Sequence, residues 1–199
     1  MLNIPIIQIG KNMTRVEKDV YEEVYAQDEG YATPHAAKIK YVEQWATSST
    51  GHILDVGCGR GEYMRSLLRR GHEVFGIELS TTCCDKYLSD VEYDNIDIKT
   101  YCSEMDGYVF DRVYSTDVLE HIPPEELEET LVALSTISNK FLFMVATGSD
   151  IKLGHELHVS NHTYKEWNKI IGRCFKITQS IDGFDEWPYI HIFECENMS

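Results

Sequence analysis

Nine residues constrain the fold more than any other part of the chain: Ile53-Leu54-Asp55-Val56-Gly57-Cys58-Gly59-Arg60-Gly61. Four residues able to form a buried strand run into glycines at alternate positions, and a helical pattern, Glu62–Arg70, follows at once. Glycines at a strand-to-helix turn let the backbone approach a ligand closely at the carboxyl edge of a sheet. The G-x-G-x-G spacing departs from the dinucleotide pattern G-x-G-x-x-G, and no Lys-Ser/Thr follows to make a phosphate loop. Asp55 stands just before the turn, where it opposes a phosphate, so a ligand with a cationic head fits better. The next strand pattern, Val74–Leu79, ends with Glu78, 17 residues after Gly61. An acid at that tip can accept hydrogen bonds from two ribose hydroxyls.

Short β patterns alternate with helices through the rest of the chain. Strands are expected at Ile53–Val56, Val74–Leu79, Val91–Ile96, Val109–Ser115, Phe141–Ala146, Phe175–Ile181 and Tyr189–Cys195. Helices are expected at Glu62–Arg70, Cys83–Leu88, Pro124–Ile137 and Tyr164–Ile171, the last opened by a Thr163/Glu166 capping box. This alternation predicts an α/β fold, a mostly parallel seven-stranded sheet with helices on both faces. Only Asp182–Pro188 separates the last two strands, so they should close as an antiparallel hairpin. Val16, Val20 and Val24 recur at helical spacing with Tyr21 and Tyr25, and a second helical pattern runs from Pro34 to Trp45. The expected organisation is one domain over 1–199: a helical cap (1–50), a ligand-binding core (51–147), and a loop, helix and hairpin (148–199).

The 199 residues carry a formal net charge of −15, which repels phosphates and argues against a nucleic-acid partner. Hydrophobic residues make up 43%, enough for a buried core and too many for a disordered chain. Six cysteines with no C-x-x-C pair (Cys58, Cys83, Cys84, Cys102, Cys174 and Cys195) read as reduced thiols. The apolar stretch Leu2–Ile9 is broken by Asn3, Pro5 and Gln8, unlike a signal peptide, and no run is long enough to span a bilayer. A cytoplasmic protein without membrane contact is expected.

Over about residues 50–147, and through D-x-G-x-G-x-G at Asp55–Gly61, the sequence resembles the class I S-adenosylmethionine-dependent methyltransferases. The resemblance implies a Rossmann-like seven-stranded sheet and S-adenosylmethionine as cofactor. It implies that Gly57, Cys58, Gly59 and Gly61 line the methionine part with Asp55 near them, and that Glu78, beside Leu79, holds the ribose. Asp97, beside Ile98, is the best match to the acid near the adenine amino group, with Asp94 as competitor. Ser115 and Thr116, at the carboxyl end of the fourth strand, should face the reacting methyl group.

His121 has two readings, a general base for an acceptor hydroxyl or amine, or a structural group capping the turn. Three histidines fall in the eight residues His155–His162, in a loop expected over the same sheet edge. His121 or His158 is expected to act as base with Glu120 orienting it, and Tyr31, His35 and His155 to bind the acceptor. The acceptor is expected to be a small molecule, such as a sugar or metabolite, methylated on oxygen or nitrogen, and the protein could form a homodimer. One alternative rests on a narrower resemblance. Asp117-x-x-Glu120-His121 with His155-x-x-His158, followed by Thr163-x-x-Glu166, looks like the metal site of small-RNA 3′-terminal 2′-O-methyltransferases. That resemblance implies an RNA partner and a divalent ion on Asp117, Glu120, His121 and His158; the main reading uses no metal. Asp117 departs from it, since that family has Glu there. Another alternative is a non-catalytic cofactor-binding subunit.

Overall fold

The structure is a computed structural model that describes residues 15–105 and 110–198. The Leu2–Ile9 stretch and Val109 lie outside the described residues. Two helices, α1 (Arg15–Gln27) and α2 (Ala36–Ala46), precede the sheet. The alternation then runs β1 (Ile53–Val56), α3 (Glu62–Arg69), β2 (Val74–Glu78), α4 (Thr81–Tyr87), β3 (Tyr93–Asn95), α5 (Ile98–Glu104) and β4 (Arg112–Thr116). A 3-10 turn at Leu119–His121 leads to α6 (Pro124–Ser135) and β5 (Lys140–Ala146). Two-residue strands β6 (Ile151–Lys152) and β7 (His155–Glu156) form a small separate hairpin before α7 (Tyr164–Cys174), β8 (Phe175–Phe184) and β9 (Trp187–Asn197).

Seven strands form one sheet in the order β3-β2-β1-β4-β5-β9-β8. β1 to β5 are parallel, and β9 runs antiparallel to both β5 and β8, which makes the expected closing hairpin. β1 and β4 are buried along their whole length, as a strand covered by helices on both faces must be. The pleat sorts β5 between two cores: Phe141 and Phe143 join Trp167 and Phe175, while Leu142 and Met144 join Met64 and Tyr114 on the other face. The chain builds β1, β2 and β3 outward, then crosses back to place β4 on the other side of β1. That reversal opens a crevice at the carboxyl ends of β1 and β4, where open α/β sheets hold their ligands.

Three features differ from the sequence reading. The third strand shrinks to Tyr93–Asn95, because Asp97 ends it and caps an unforeseen α5 by accepting from Thr100 N at 3.0 Å. The β6–β7 hairpin appears in the late loop, turning through Leu153 and Gly154, both at positive φ. The closing hairpin is longer than its apolar runs, since exposed residues extend both strands. The Thr163–Glu166 capping box forms in both directions. All six cysteines are free thiols. Among the described residues, no helix is long and apolar enough to cross a membrane.

Candidate active site

The glycine turn needs its glycines for two physical reasons. Gly57, Gly59 and Gly61 all have positive φ (+69°, +50° and +76°), and a Cβ on Gly57 would stand 2.4 Å from Val118 Cγ2. The amides of Gly57 and Cys58 both donate to Ile77 O, which folds the turn over the end of β2. Glu78 finishes the arrangement from that strand. Its carboxylate accepts from Gly59 N at 3.0 Å and from Ser80 N at 2.9 Å. Burial raises its pKa above the ordinary carboxylate range, and the backbone donors oppose that rise.

A cleft of about 390 Å³ lies between this turn and the N-terminal helices, within the size range of small-ligand sites. Gly59, Glu78, Leu79, Asp97 and Ile98 line one end, and Lys38, Asp117, His121 and His158 the other. Tyr21, Tyr25 and Tyr31 cover it from the cap; Tyr31 packs edge-on against Tyr25 with centroids 5.0 Å apart. Of the other residues expected near a cofactor, Gly57, Cys58 and Thr116 also line the cleft, whereas Asp55, Gly61 and Ser115 lie behind it. Asp55 is fully buried and accepts from Tyr114 Oη at 2.7 Å, and burial pushes its carboxyl up to about 8. Asp94 is exposed on β3, outside the cleft.

The other end is built by the turn after β4 and by the late loop. His121 Nδ1 is 3.0 Å from Leu157 O, and His158 Nδ1 is 2.9 Å from Gly148 O. A carbonyl only accepts, so each Nδ1 carries a proton, and a neutral ring so held keeps its lone pair on Nε2. Burial, and then the neighbouring His158, lower the His121 pKa to about 4, which keeps its ring neutral. Glu120 is fully buried; its Oε1 accepts from Ala146 N at 2.7 Å and its Oε2 has no partner among the described residues. Burial first and the Asp117 charge second raise this carboxyl to about 8. Glu120, His121 and His158 each offer a ligand atom, all within 4.8 Å of one another.

The fourth member of the expected metal set is engaged elsewhere. Asp117, at φ +56°, receives Lys38 Nζ on both carboxylate oxygens, at 2.7 and 2.6 Å. Lys38 belongs to α2, far off in sequence, and sequence reasoning missed it because a lone helix lysine has no local signature. His35 lies outside the cleft; it caps α2 by accepting from Ala37 N, and its ring packs edge-on against Trp187. His155 is exposed on β7, also outside the cleft. Asp150, Lys152 and Tyr189 line the cleft without having been foreseen.

A family model described as a methyltransferase domain matches residues 53–139, the span from β1 through α6 that carries the glycine turn, Glu78 and Glu120-His121. The whole fold superposes on magnesium protoporphyrin IX methyltransferase from Synechocystis PCC 6803, solved with bound S-adenosylmethionine. The TM-score is 0.68 at 18% identity, over 94% of this chain and 100% of that one. Residues 53–139 thus match a methyltransferase domain, and the chain shares the fold of S-adenosylmethionine-dependent methyltransferases.

Other solved methyltransferases show the same architecture. The 1,6-didemethyltoxoflavin-N1-methyltransferase of Burkholderia thailandensis, solved with its acceptor and S-adenosylhomocysteine, matches with a TM-score of 0.73 and 15% identity, over 97% of this chain and 94% of that one. At such identities the likeness is one of fold. Among curated proteins, the ubiquinone biosynthesis O-methyltransferase of Coxiella burnetii is 30% identical over 112 residues, 53% of this chain. The chain spans about half the length of the curated relatives it matches, 48% in that case. This domain thus has a glycine turn and a Glu78 tip on one side of its cleft and a paired-histidine wall on the other.

Proposed function

We propose that this chain binds S-adenosylmethionine and transfers its methyl group to an oxygen or nitrogen of a small-molecule acceptor. One observation carries the reading: a single cleft joins the glycine turn and Glu78 to the two imidazole lone pairs of His121 and His158. The residues present fit the cofactor. Each Glu78 oxygen takes one backbone hydrogen bond and keeps a lone pair for a ribose hydroxyl. Asp97 and Ile98 stand at the same end for the base, and Asp97 is already fixed by its bonds to Thr100.

When bound, the cofactor supplies an electrophilic methyl group whose bonding pair stays on sulfur as the acceptor forms its new bond to carbon. The protein's part is to align the acceptor and remove its proton, since an in-line displacement depends on positioning. Nε2 of His121 or His158 takes that proton and later passes it to solvent. Glu120 acts on the end of β5 through Ala146, and its backbone O accepts from Ser160 N, tying the late loop to the turn that carries His121. Tyr21 and Tyr31 offer flat faces for the acceptor. The names of the Coxiella and Burkholderia relatives, an O- and an N-methyltransferase, support a small acceptor and leave both atoms open. The net charge of −15 argues against RNA in this role. The test is labelled methyl transfer to a panel of small phenols, amines and sugars. Methylated product from wild type, lost in His121→Asn or His158→Asn, supports the reading; full turnover in both variants would show the base assignment to be wrong.

The cluster of Glu120, His121 and His158 favours a second reading, in which a divalent ion assists the same transfer. Two imidazoles oriented by backbone carbonyls, with an unpartnered buried carboxylate oxygen beside them, match the way metal-ligating histidines are held. An ion held there would act as a Lewis acid on the acceptor oxygen. Asp117 is tied to Lys38 and completes no four-ligand set. Calorimetry with manganese alone, and methyl transfer in a chelator, test it: manganese binding lost in His158→Asn supports the ion, and undiminished turnover in chelator removes it.

A further inference from the structure

Lys38 is the buried cation of the cleft. Its side chain is nine-tenths buried, it lines the acceptor end, and it reaches from the cap to the end of β4. An ammonium carries three N–H donors. Two go to Asp117, and no third partner exists among the described residues. The pair is fixed on both sides, because Asp117 N donates to Met144 O at 2.9 Å while its backbone is held at φ +56°. The other lysine of the cleft, Lys152, is more exposed and lies 3.8 Å from both Asp28 and Asp150.

We propose that the remaining N–H of Lys38 holds the oxygen of an acidic hydroxyl on the acceptor, so that this site methylates phenol- or enol-type hydroxyls and rejects amines. This rests on the methyltransferase reading above and decides between the two acceptor atoms that it leaves open. The physical reason is the sign of the developing charge. A hydroxyl that gives its proton to an imidazole leaves negative charge on oxygen, which an adjacent ammonium stabilises. An amine needs its lone pair free and becomes positive as it takes the methyl group, so the same ammonium opposes it. Asp117, in direct contact at 2.6 and 2.7 Å, offsets part of the Lys38 charge without taking its third N–H. Asp117 and Asp150, which line the same cleft, also disfavour a carboxylate acceptor, which narrows the choice to a single ionisable hydroxyl. Other titratable groups around this end are Tyr21 and Tyr31 of the cap, Tyr63 on α3, Lys152 and the two histidines.

The experiment uses 4-nitrocatechol, whose absorbance reports its ionisation, bound to the whole chain saturated with S-adenosylhomocysteine. In wild type the bound hydroxyl should ionise at least about one pH unit below its value in free solution, as an adjacent opposite charge produces. Lys38→Met should abolish that shift, whereas Asp117→Asn, which frees more of the ammonium, should keep or deepen it. A purely structural ion pair would make the two variants behave alike, and that result overturns the proposal. So does a wild-type complex that binds S-adenosylhomocysteine but leaves nitrocatechol unshifted, or that binds 4-nitroaniline as well as nitrocatechol. Failure of S-adenosylhomocysteine to bind wild type would instead overturn the methyltransferase reading and this proposal with it.

Discussion

His121 and His158 stand edge to face with ring centroids 4.9 Å apart, and each commits its Nδ1 proton to a backbone carbonyl. One ring belongs to the turn after β4 and the other to the late loop, so two separate segments are held as one chemical unit. Both Nε2 lone pairs stay available in a cleft that also reaches Glu78.

Loss of either ring should therefore cost turnover more than binding. His121→Asn and His158→Asn should each lower kcat by about 100-fold or more, the usual scale for a general base, with S-adenosylhomocysteine affinity little changed. The double variant should be no worse than the poorer single one. Steady-state kinetics together with calorimetry check this. The His121 pKa near 4 adds a pH signature. Between about 6.5 and 4 the unfolded chain binds a proton that the native ring refuses, so this residue's contribution to stability is lost as pH falls through that window. Urea midpoints measured across it should show a shallower decline in His121→Asn.

Asp55 should contribute with the opposite sign. Its folded pKa, about 8, lies above the unfolded value, so its contribution is present in acid and is lost as pH rises from about 4 to 8. Asp55→Asn keeps an oxygen for Tyr114 and removes the ionisation. The variant should be more stable than wild type at pH 8, on the order of a few kcal/mol, and close to it at pH 4. Denaturant titrations at the two values check both halves.

Gly57 and Gly148 both have positive φ but different neighbours. A Cβ on Gly148 meets nothing within 4 Å, whereas on Gly57 it strikes Val118. Gly148→Ala should cost about 1 kcal/mol from backbone strain alone, and Gly57→Ala some 2–3 kcal/mol more from overpacking. Gly57→Ala should also weaken S-adenosylhomocysteine binding, because the clash falls on the wall of the cleft. Thermal melts with and without that ligand separate the two effects.

The sheet and its glycine turn were legible because buried parallel strands read as short apolar runs punctuated by glycine. The closing hairpin was legible because seven residues leave no room for a crossover. α5 was signalled by Asp97-x-x-Thr100, a helix-start pattern hidden behind the polar third strand. The β6–β7 hairpin left no trace, since two-residue strands are too short to show alternation. At the site, His121, His158, Glu78 and Tyr31 were visible as unusual residues near strand ends. The seclusion of Asp55 was not, because it depends on Tyr114 standing opposite it on β4. Lys38 became meaningful only when the fold brought it to Asp117.

The central claim is that the glycine turn and Glu78 hold the methyl donor. Its most direct test is calorimetric titration of S-adenosylhomocysteine into wild type and Glu78→Gln, which keeps one carbonyl oxygen for the loop amides. One-to-one binding to wild type is expected, weakened about 10- to 100-fold in Glu78→Gln, the loss that follows when hydrogen bonds to a charged acceptor go. No binding to wild type, or equal binding to a folded Glu78→Gln variant, would contradict it.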